Sequence, residues 1–340
     1  MKLFKINFFY KPVKSDVLVY DYLSLKFAKK LFEKKKLSIF YARFDGLSIY
    51  ILFKTFLKSG YKNFFKNYKI NFFSFVKPKI IYTAIDNNSG FYKLKKIYPH
   101  AKYVSDQNGM RDEKFFDIIV SKKKFFDYSS DVIFCFGENE KKRLSKIINA
   151  KIYPLGNTLN NSYERYKIRN FEFKNLVFIS HFKNEIKFKD LKFLNKLAKI
   201  TFKMNKIFYF HERPNQNFDQ LLNDKLKQYN FNYIQNKEFN IKEFYDNSIF
   251  IARRSTLGFS YLSNNYRIGF YGLTSFNSQN SISYNARGPF WTSKLSEAEL
   301  TKMIKKIRSY DQKKWNLISN KYSYQLLNLD ENNIKKKKII

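Results

Sequence analysis

Short apolar runs of strand length alternate with longer amphipathic runs through almost the whole of this sequence. The runs at residues 16–20, 79–84 and 132–136 are rich in Val, Ile, Phe and Tyr, and stretches with helical spacing of apolar residues separate them. Apolar strands that are spaced by helices are typical of a parallel sheet with helices on both faces. The alternation therefore predicts an α/β fold of the doubly wound type.

The alternation pauses once, in a polar stretch that begins at Pro154 and runs to about Arg169. A chain of 340 residues has the length of two domains of ordinary size. We therefore predict an N-terminal domain over residues 1–160 and a second domain over residues 161–312, with a linker between them. Both halves read as doubly wound Rossmann-like domains, which would face each other across a cleft. Residues 335–340 are rich in lysine, and we expect a frayed basic tail there.

The predicted elements follow from apolar spacing. In the first half, strands are predicted at 16–20, 37–41, 79–84, 102–105, 132–136 and 151–153, and helices at 21–35, 45–57, 91–98 and 138–148. In the second half, strands are predicted at 175–180, 206–210, 233–234, 248–252 and 267–271, and helices at 189–203, 218–229, 296–308 and 313–327.

The formal net charge of +37 is the feature that most suggests a nucleic-acid partner. Lysine supplies most of the excess, however, whereas arginine is the residue that suits bidentate contacts with phosphates and bases. The enrichment in Lys, Asn, Ile, Phe and Tyr, with few Gly, Ala and Pro, is also the bias that A/T-rich codons produce in almost any protein. We therefore expect solvated basic faces and no nucleic acid; a weak contact with an anionic membrane surface stays open, because such a surface attracts each basic residue by about 1 kcal/mol.

Cysteine content and hydropathy exclude further classes. The single cysteine, Cys135, excludes an intramolecular disulfide and a multi-cysteine zinc site. The N-terminus lacks the apolar region and small-residue cleavage site of a secretory signal, and no stretch approaches the ~18 apolar residues that span a bilayer. We expect a cytoplasmic protein, with a peripheral contact with the inner membrane left open.

The strongest local motif follows the predicted strand 248–252. Arg253 and Arg254 lead into Ser255 and Thr256, and Gly258 lies in the helix that these residues open. A helix N-terminus offers N–H donors and a positive dipole end to a phosphate, and neighbouring arginines would add charge. The alternative is ordinary helix capping by Ser255 and Thr256 with solvated arginines.

Two histidines follow other strands of the second half. His211 and Arg213 come after the strand 206–210, and His181 comes after the strand 175–180. Carboxyl ends of parallel strands are where ligands bind in such folds. His211 could bind a phosphate or move a proton, and Arg213 could pair with a phosphate. The alternative for His211, Arg213 and His181 is a surface loop.

Two carboxylates follow strands of the first half. Asp86 lies after the strand 79–84, and Asp106 lies after the strand 102–105. Either could hold hydroxyl groups or act as a general base toward an acceptor hydroxyl. The alternative is turn formation, which Asp and Asn favour in any protein. The sequence has no phosphate-binding glycine loop, dinucleotide fingerprint or Cys/His cluster, so we predict neither a metal nor a cofactor.

Six short segments, in this order along the chain, together resemble bacterial surface carbohydrate biosynthesis proteins, which are similar to GT-B glycosyltransferases. The segments are 81–88 (IYTAIDNN), 98–109 (YPHAKYVSDQNG), 132–138 (VIFCFGE), 153–156 (YPLG), 255–258 (STLG) and 288–291 (GPFW). One departure is Ser260, which stands where the family tends to place a glutamate.

The resemblance implies a GT-B fold and transfer of a sugar from a nucleotide-activated donor in the synthesis of a capsule or O-antigen type of polysaccharide. It implies that the second domain binds the donor through His181, Arg213, Arg254, Ser255, Thr256 and Gly258. Asp86, Asp106 and His211 would then be the candidate catalytic residues, and a lipid-linked or oligosaccharide acceptor would bind the first domain. It also implies that residues 313–340 form a final helix, at 313–327, that returns toward the first domain, followed by the basic tail.

Three other functions stay open at this point. A similar fold could transfer a polyol phosphate from a CDP-linked donor to a wall polymer. The basic charge could serve a non-catalytic nucleic-acid-binding protein, whose affinity would fall steeply with salt. A non-catalytic scaffold of a polysaccharide assembly would bind no nucleotide at all.

Overall fold

The structure, a computed structural model, describes residues 10–43, 46–111, 113–123, 127–162, 170–180, 188–212, 231–235, 238–253, 255–272 and 288–340, with the single positions 168, 226 and 229. The chain forms two compact units. Unit 1 combines Met1–Tyr163 with Asn328–Ile340, and unit 2 is Glu164–Leu327. Within the residues so described, no helix has both the length and the apolar character needed to cross a membrane.

Unit 1 contains one parallel sheet of six strands in the order β2-β1-β3-β4-β5-β6. The strands are β1 (Val17–Tyr20), β2 (Leu37–Phe40), β3 (Ile80–Thr83), β4 (Lys102–Asp106), β5 (Ser129–Cys135) and β6 (Asn149–Pro154). The helices are α1 (Leu25–Leu31), α2 (Ile49–Ser59), α3 (Phe64–Val76), α4 (Leu94–Ile97), α5 (Glu113–Lys123) and α6 (Glu138–Leu144), and α11 (Ile334–Ile339) follows at the end of the chain.

Both faces of the unit 1 sheet are buried, which explains why its strands are continuous apolar runs. Leu18 and Ile81 point to one side, where they join a core that includes Phe72 and Phe73 of α3. Val19 and Tyr82 point to the other side, where they join residues of α1 and the C-terminal residues of the chain. The sheet is therefore the middle layer of three.

The C-terminal residues are an integral part of unit 1, so the predicted frayed tail is wrong. Lys336 is fully buried, and its Nζ donates to Asp106 Oδ1 at 2.8 Å, to Gly156 O at 2.9 Å and to Thr158 Oγ1 at 2.9 Å. Asp330 accepts from the N–H groups of Lys335 and Lys336. The lysine run is therefore ordered because one of its members supplies the cation that a buried aspartate requires.

Unit 2 contains a second parallel sheet, in the order β12-β11-β10-β7-β8-β9. The strands are β7 (Asn175–Ile179), β8 (Ile207–His211), β9 (Phe231–Ile234), β10 (Ser248–Ala252), β11 (Ile268–Tyr271) and β12 (Trp291–Thr292). The helices are α7 (Phe188–Lys203), α8 (Thr256–Ser263), α9 (Glu297–Ser309) and α10 (Gln312–Leu326). Numbered from β7, this is the strand order 3-2-1-4-5-6 of a dinucleotide-binding domain.

Helix α10 belongs to unit 2, which differs from the expectation that a helix at 313–327 returns toward the first domain. Trp315 is fully buried, and its indole Nε1 donates to Asn265 O, just after α8, at 2.9 Å. Ser319 Oγ donates to the Asn265 side chain. The chain rejoins unit 1 only from Asn328, whose N–H donates to Phe136 O at 2.7 Å.

In the described part of the chain, the sequence predicted eleven of the twelve strands to within a few residues and missed the two-residue strand β12. It missed helices α3, α5 and α11. The predicted helix 218–229 lies almost wholly outside the described residues. Two parallel sheets with helices along the chain confirm the predicted doubly wound α/β class.

Candidate functional site

The strand order of unit 2 reverses between β7 and β10, which are neighbours in the sheet. The chain runs outward from β7 through β8 to β9, returns to the opposite side of β7, and runs outward again from β10. In open α/β sheets the ligand binds beyond the carboxyl ends of the strands at such a reversal. The residues that follow Ile179 and Ala252 therefore lie at the expected ligand position.

Helix α8 begins directly after β10, so its N-terminus lies at this reversal point. Ser255 is the residue before the helix and has extended φ and ψ angles of −131° and 128°. Its side chain makes no capping hydrogen bond, although a serine at this position usually accepts one from the first turn. Capping therefore does not account for Ser255, and the first turn of α8 remains suited to an anion.

Gly258 allows α8 to pack unusually close to the sheet. A Cβ atom at this position would lie 3.0 Å from Ala252 Cβ and 3.1 Å from Phe270 Cε1. Such a separation is shorter than ordinary carbon–carbon contact, so a larger residue would displace the helix. Gly258 therefore acts through helix–sheet packing, a role that glycine also has in dinucleotide-binding motifs, and direct contact with a donor stays a prediction.

Arg253 is the described basic residue that lies closest in sequence to the N-terminus of α8. It is exposed and follows β10, and its Nε is 3.8 Å from the position of a Cβ built on Gly272, which follows β11. Burial raises the pKa of the neighbouring Tyr271 hydroxyl, and the positive charge of Arg253 opposes this rise. The exposed guanidinium of Arg253 therefore lies beside the carboxyl ends of both β10 and β11.

His211 ends β8 and pairs in register with Ile179 of β7, as the sequence predicted for a strand end. Its ring stacks on Phe239 with the ring centres 4.0 Å apart, and its exposed fraction is 2%. This contact orients the imidazole and shields it from solvent. A role of His211 in proton transfer stays a prediction.

Three predicted donor-binding residues, His181, Arg213 and Arg254, lie outside the described residues. In the sequence each directly follows a described residue, Ser180, Glu212 or Arg253, that comes immediately after β7, β8 or β10. Their roles stay predictions from the sequence.

In unit 1, Asp86 is a buried carboxylate in an ion pair. It lies after β3, and Arg111 donates Nε to its Oδ2 at 2.7 Å and Nη2 to its Oδ1. The N–H of Asn108 also donates to Asp86 Oδ1 at 3.3 Å, and Arg111 Nη2 donates to Asn108 Oδ1 at 2.7 Å. The arrangement ties the loop after β3 to the loop after β4.

Asp106 lies in a buried ion pair, and its predicted role as a general base stays a prediction. Its side chain is fully buried, Lys336 pairs with Oδ1, and Tyr82 Oη donates to Oδ2 at 3.2 Å. Burial raises the pKa of Asp106, and the charge of Lys336 opposes this rise. In this arrangement the carboxylate of Asp106 holds the C-terminal segment through Lys336.

Sequence reasoning missed Asp21, which lies at the reversal point of the unit 1 sheet. The order of that sheet reverses between β1 and β3, and Asp21 directly follows β1. Its φ angle of 93° is costly for any residue except glycine, and strain of this kind concentrates at functional sites. Asp21 accepts from Arg43 Nε at 2.8 Å and from Leu23 N at 2.9 Å. The sequence signal was a polar residue at the end of a buried strand, the same signal that identified Asp86.

No cluster of His, Cys, Asp or Glu that could hold a metal ion occurs in the described part of the chain. The arrangement in unit 2 instead combines the N-terminus of α8 with the exposed Arg253, both of which follow β10, while the buried His211 ends β8 on the other side of β7. Such a set can bind an anionic group and stabilise negative charge that develops on it.

Comparison with protein families gives one match. Residues 202–340 match the sequence model of a family described as O-antigen biosynthesis proteins. The matched region includes the segments 255–258 and 288–291, on which the predicted resemblance partly rested. The match confirms the resemblance to surface carbohydrate biosynthesis proteins. The comparison with curated proteins finds no match.

Two solved structures are similar over nearly the whole chain. One is a Listeria monocytogenes protein named as a UDP-N-acetylglucosamine 2-epimerase, with a TM-score of 0.52 and 8% identity over 95% of this chain and 94% of that chain. The other is a variant of the wall teichoic acid polymerase TagF, with a TM-score of 0.51 and 9% identity over 95% of this chain and 88% of that chain. At this identity the likeness shows the fold alone, and the predicted GT-B-like fold is confirmed.

A third structure is longer than this chain. The pneumococcal O-GlcNAc transferase GtfA is 9% identical, with a TM-score of 0.47 over 77% of this chain. This chain spans only 57% of the length of GtfA.

Proposed function

We propose that this protein is a glycosyltransferase that uses a nucleotide-activated sugar in the synthesis of a surface polysaccharide. The observation that carries the proposal is the position of the α8 N-terminus at the reversal point of a sheet with the strand order of a dinucleotide-binding domain. The O-antigen family match over residues 202–340 supports the same pathway class.

In this proposal unit 2 binds the donor. The first turn of α8, with Ser255 and Thr256, would accept the donor phosphates, and Arg253 and Arg254 would add positive charge. Negative charge grows on the leaving phosphate as the sugar departs, and donors that are already fixed in place lower the barrier. His181, His211 and Arg213 would complete the donor site.

The proposed acceptor is a lipid-linked or oligosaccharide hydroxyl, bound by unit 1. Asp86 is the candidate for a general base that we favour, because the loop that follows it, from Asn87 to Gly90, is partly exposed. Its ion pair with Arg111 would have to loosen before Asp86 could accept a proton. We propose a cytoplasmic protein that meets such an acceptor at the inner membrane surface.

A second candidate is transfer of a polyol phosphate from a CDP-linked donor, which the likeness to a teichoic acid polymerase favours. The two reactions differ in their products. Sugar transfer releases a nucleoside diphosphate, or a monophosphate from a CMP-linked sugar, whereas polyol-phosphate transfer releases CMP. Incubating the protein with each activated donor and identifying the released nucleotide separates them.

The donor site is tested by Ser255→Ala. Because the Ser255 hydroxyl makes no capping bond, its removal should change the melting temperature very little. If the hydroxyl contacts a phosphate, nucleotide affinity should fall by about 1.5–3 kcal/mol, the range for a hydrogen bond to a charged group. Calorimetric titration with UDP, GDP and CDP, alone and sugar-linked, measures the affinity.

Ser296→Ala is the matched control. Ser296 precedes α9 in the same unit, and its Oγ does accept a capping bond, from Glu299 N at 3.3 Å. Its loss should therefore lower stability by about 1 kcal/mol and leave nucleotide affinity unchanged. If the wild-type protein binds a nucleotide and Ser255→Ala binds it equally well, the donor site lies elsewhere.

A further inference from the structure

Helix α2 presents its apolar side chains to solvent. Ile49, Tyr50, Phe53, Phe56 and Leu57 are all between 44% and 68% exposed. With 3.6 residues per turn, these five positions fall within about 120° of the helix circumference and form one continuous face. A helix on the surface of a soluble protein normally turns such a face toward the core.

The side of α2 that faces the core is less apolar than the side that faces solvent. Thr55 is fully buried, and its hydroxyl donates to Ile51 O at 2.7 Å while accepting from Asn71 Nδ2 of α3 at 3.0 Å. The hydrogen bond from Asn71 holds α2 against α3 in this orientation. The outward apolar face is therefore a consequence of how the helix is fixed in the fold.

The apolar surface continues across the turn into α3. Tyr61 is 83% exposed and packs edge-on against Phe56 with ring centres 5.2 Å apart, and Phe65 is 63% exposed. Seven of the seventeen exposed large apolar residues in the described part of the chain lie between residues 49 and 65. We call residues 49–76 the α2–α3 hairpin.

The charge of the hairpin has only one sign. Five lysines lie between residues 49 and 76, and this range contains no arginine, aspartate or glutamate. Lys58, Lys62 and Lys66 are exposed along the same stretch as Tyr61 and Phe65. In the chain as a whole the ratio of basic to acidic residues is 65 to 28, so the complete absence of carboxylates here is a local feature.

We propose that the α2–α3 hairpin docks on the surface of an anionic lipid bilayer. An apolar helix face with many aromatic residues, flanked by lysines, is the pattern of helices that lie in the plane of a membrane interface. Helix α2 has 11 residues, which is about half the length needed to span a bilayer. Phe53 and Leu57 would enter the boundary between headgroups and acyl chains, and the lysines would extend to the headgroup phosphates.

This docking surface names the partner for the membrane contact in the proposed function. It does not depend on the transfer reaction, because it uses the hairpin of unit 1, whereas the donor site is assigned to unit 2. Lipid binding without nucleotide binding would refute the glycosyltransferase proposal alone, and nucleotide binding without lipid binding would refute the docking proposal alone.

The test is co-sedimentation of the full chain with vesicles of phosphatidylcholine, with and without phosphatidylglycerol. We expect binding to the anionic vesicles that weakens as salt is added. Leu57→Glu should reduce the partition coefficient roughly 10- to 100-fold, because one leucine no longer leaves water. Leu317→Glu is the matched control, since Leu317 is 66% exposed on α10 and Leu57 is 68% exposed on α2.

Charge is tested separately by replacing Lys58, Lys62 and Lys66 together with glutamine. At about 1 kcal/mol for each lysine, binding to the anionic vesicles should fall roughly 100-fold. Because these side chains are exposed, the melting temperature should hardly change.

Three outcomes would overturn the docking proposal. One is a wild-type chain that does not bind anionic vesicles at low salt. Another is a Leu57→Glu variant that binds as well as Leu317→Glu. The third is self-association of the lipid-free chain that Leu57→Glu abolishes in analytical ultracentrifugation, since the hairpin would then be covered by a second copy of the chain.

Discussion

The ion pair between Lys336 and Asp106 offers the sharpest test of how unit 1 is held together. Both side chains are fully buried, 230 residues apart in sequence, and joined by a 2.8 Å contact. Lys336→Met keeps most of the aliphatic chain and removes only the ammonium group. Asp106 then loses its counter-ion and keeps the hydroxyl donor of Tyr82. Gly156 O and Thr158 Oγ1 also lose a donor.

Breaking a buried ion pair from one side costs about 3–5 kcal/mol, because the remaining charge stays buried without compensation. A typical domain has about 5–15 kcal/mol of stability in total, so this single change should remove a large fraction of it. Burial raises the pKa of Asp106. The deficit of the variant should therefore shrink as the pH falls through that raised pKa, since protonation removes the uncompensated charge.

Urea unfolding of wild type and variant, followed by circular dichroism at several pH values, measures the effect. Lys337→Met is the control, because Lys337 forms an exposed pair with Glu33 at 3.3 Å and should cost no more than about 1 kcal/mol. Adding Asp106→Asn to Lys336→Met should recover part of the loss, as a double-mutant cycle would show. A loss below about 1 kcal/mol for Lys336→Met would refute the reasoning.

Two further predictions concern packing and alkaline stability. Gly258→Val should lower stability by about 1–3 kcal/mol through overpacking against Ala252 and Phe270, and an unchanged urea midpoint would contradict the close helix–sheet contact. Burial, and secondarily the charge of Asp21, raises the pKa of Tyr20 from 10.0 to about 12. The stability that the protonated Tyr20 hydroxyl contributes is then complete below pH 10.0 and is lost as the pH rises through about 12. Tyr20→Phe should therefore make the free energy of unfolding depend less on pH in the alkaline range. If Tyr20→Phe loses stability at alkaline pH as steeply as wild type, groups other than Tyr20 cause the alkaline unfolding.

The strands were predictable because each is buried on both faces. A run such as residues 248–252 has no polar side to obscure its apolar character, and its five residues are all buried in the structure. The strand ends of unit 2 were equally accessible, because Ser255 lies three residues after one such run and His211 directly follows another. Strand ends are therefore the part of the candidate site that the sequence could locate.

Other features depended on contacts that are distant in sequence. Lys336 looks like any member of a lysine run, and only the position of Asp106 makes it a core residue. Helix α3 did carry a helical signal, since Tyr68, Phe72, Phe73 and Val76 all face the core. Apolar residues on its other face obscured the period. The apolar surface of the α2–α3 hairpin was difficult to predict, because apolar residues in a helix are normally expected to face the core and many of these face solvent.

The charges at the carboxyl ends of the two sheets differ in a way that favours a division of labour. In unit 1, Asp21, Asp86 and Asp106 each pair with a basic side chain of the same unit. Such a neutralised edge has little attraction for phosphate, and the partly exposed amides beside it, Asn88 and Asn108, suit hydroxyl groups. In unit 2 the corresponding edge presents the positive end of α8 and the exposed Arg253. An activated sugar carries its charge on the phosphates, whereas an acceptor reacts through a hydroxyl. The charge pattern therefore supports assigning the donor to unit 2 and the acceptor to unit 1.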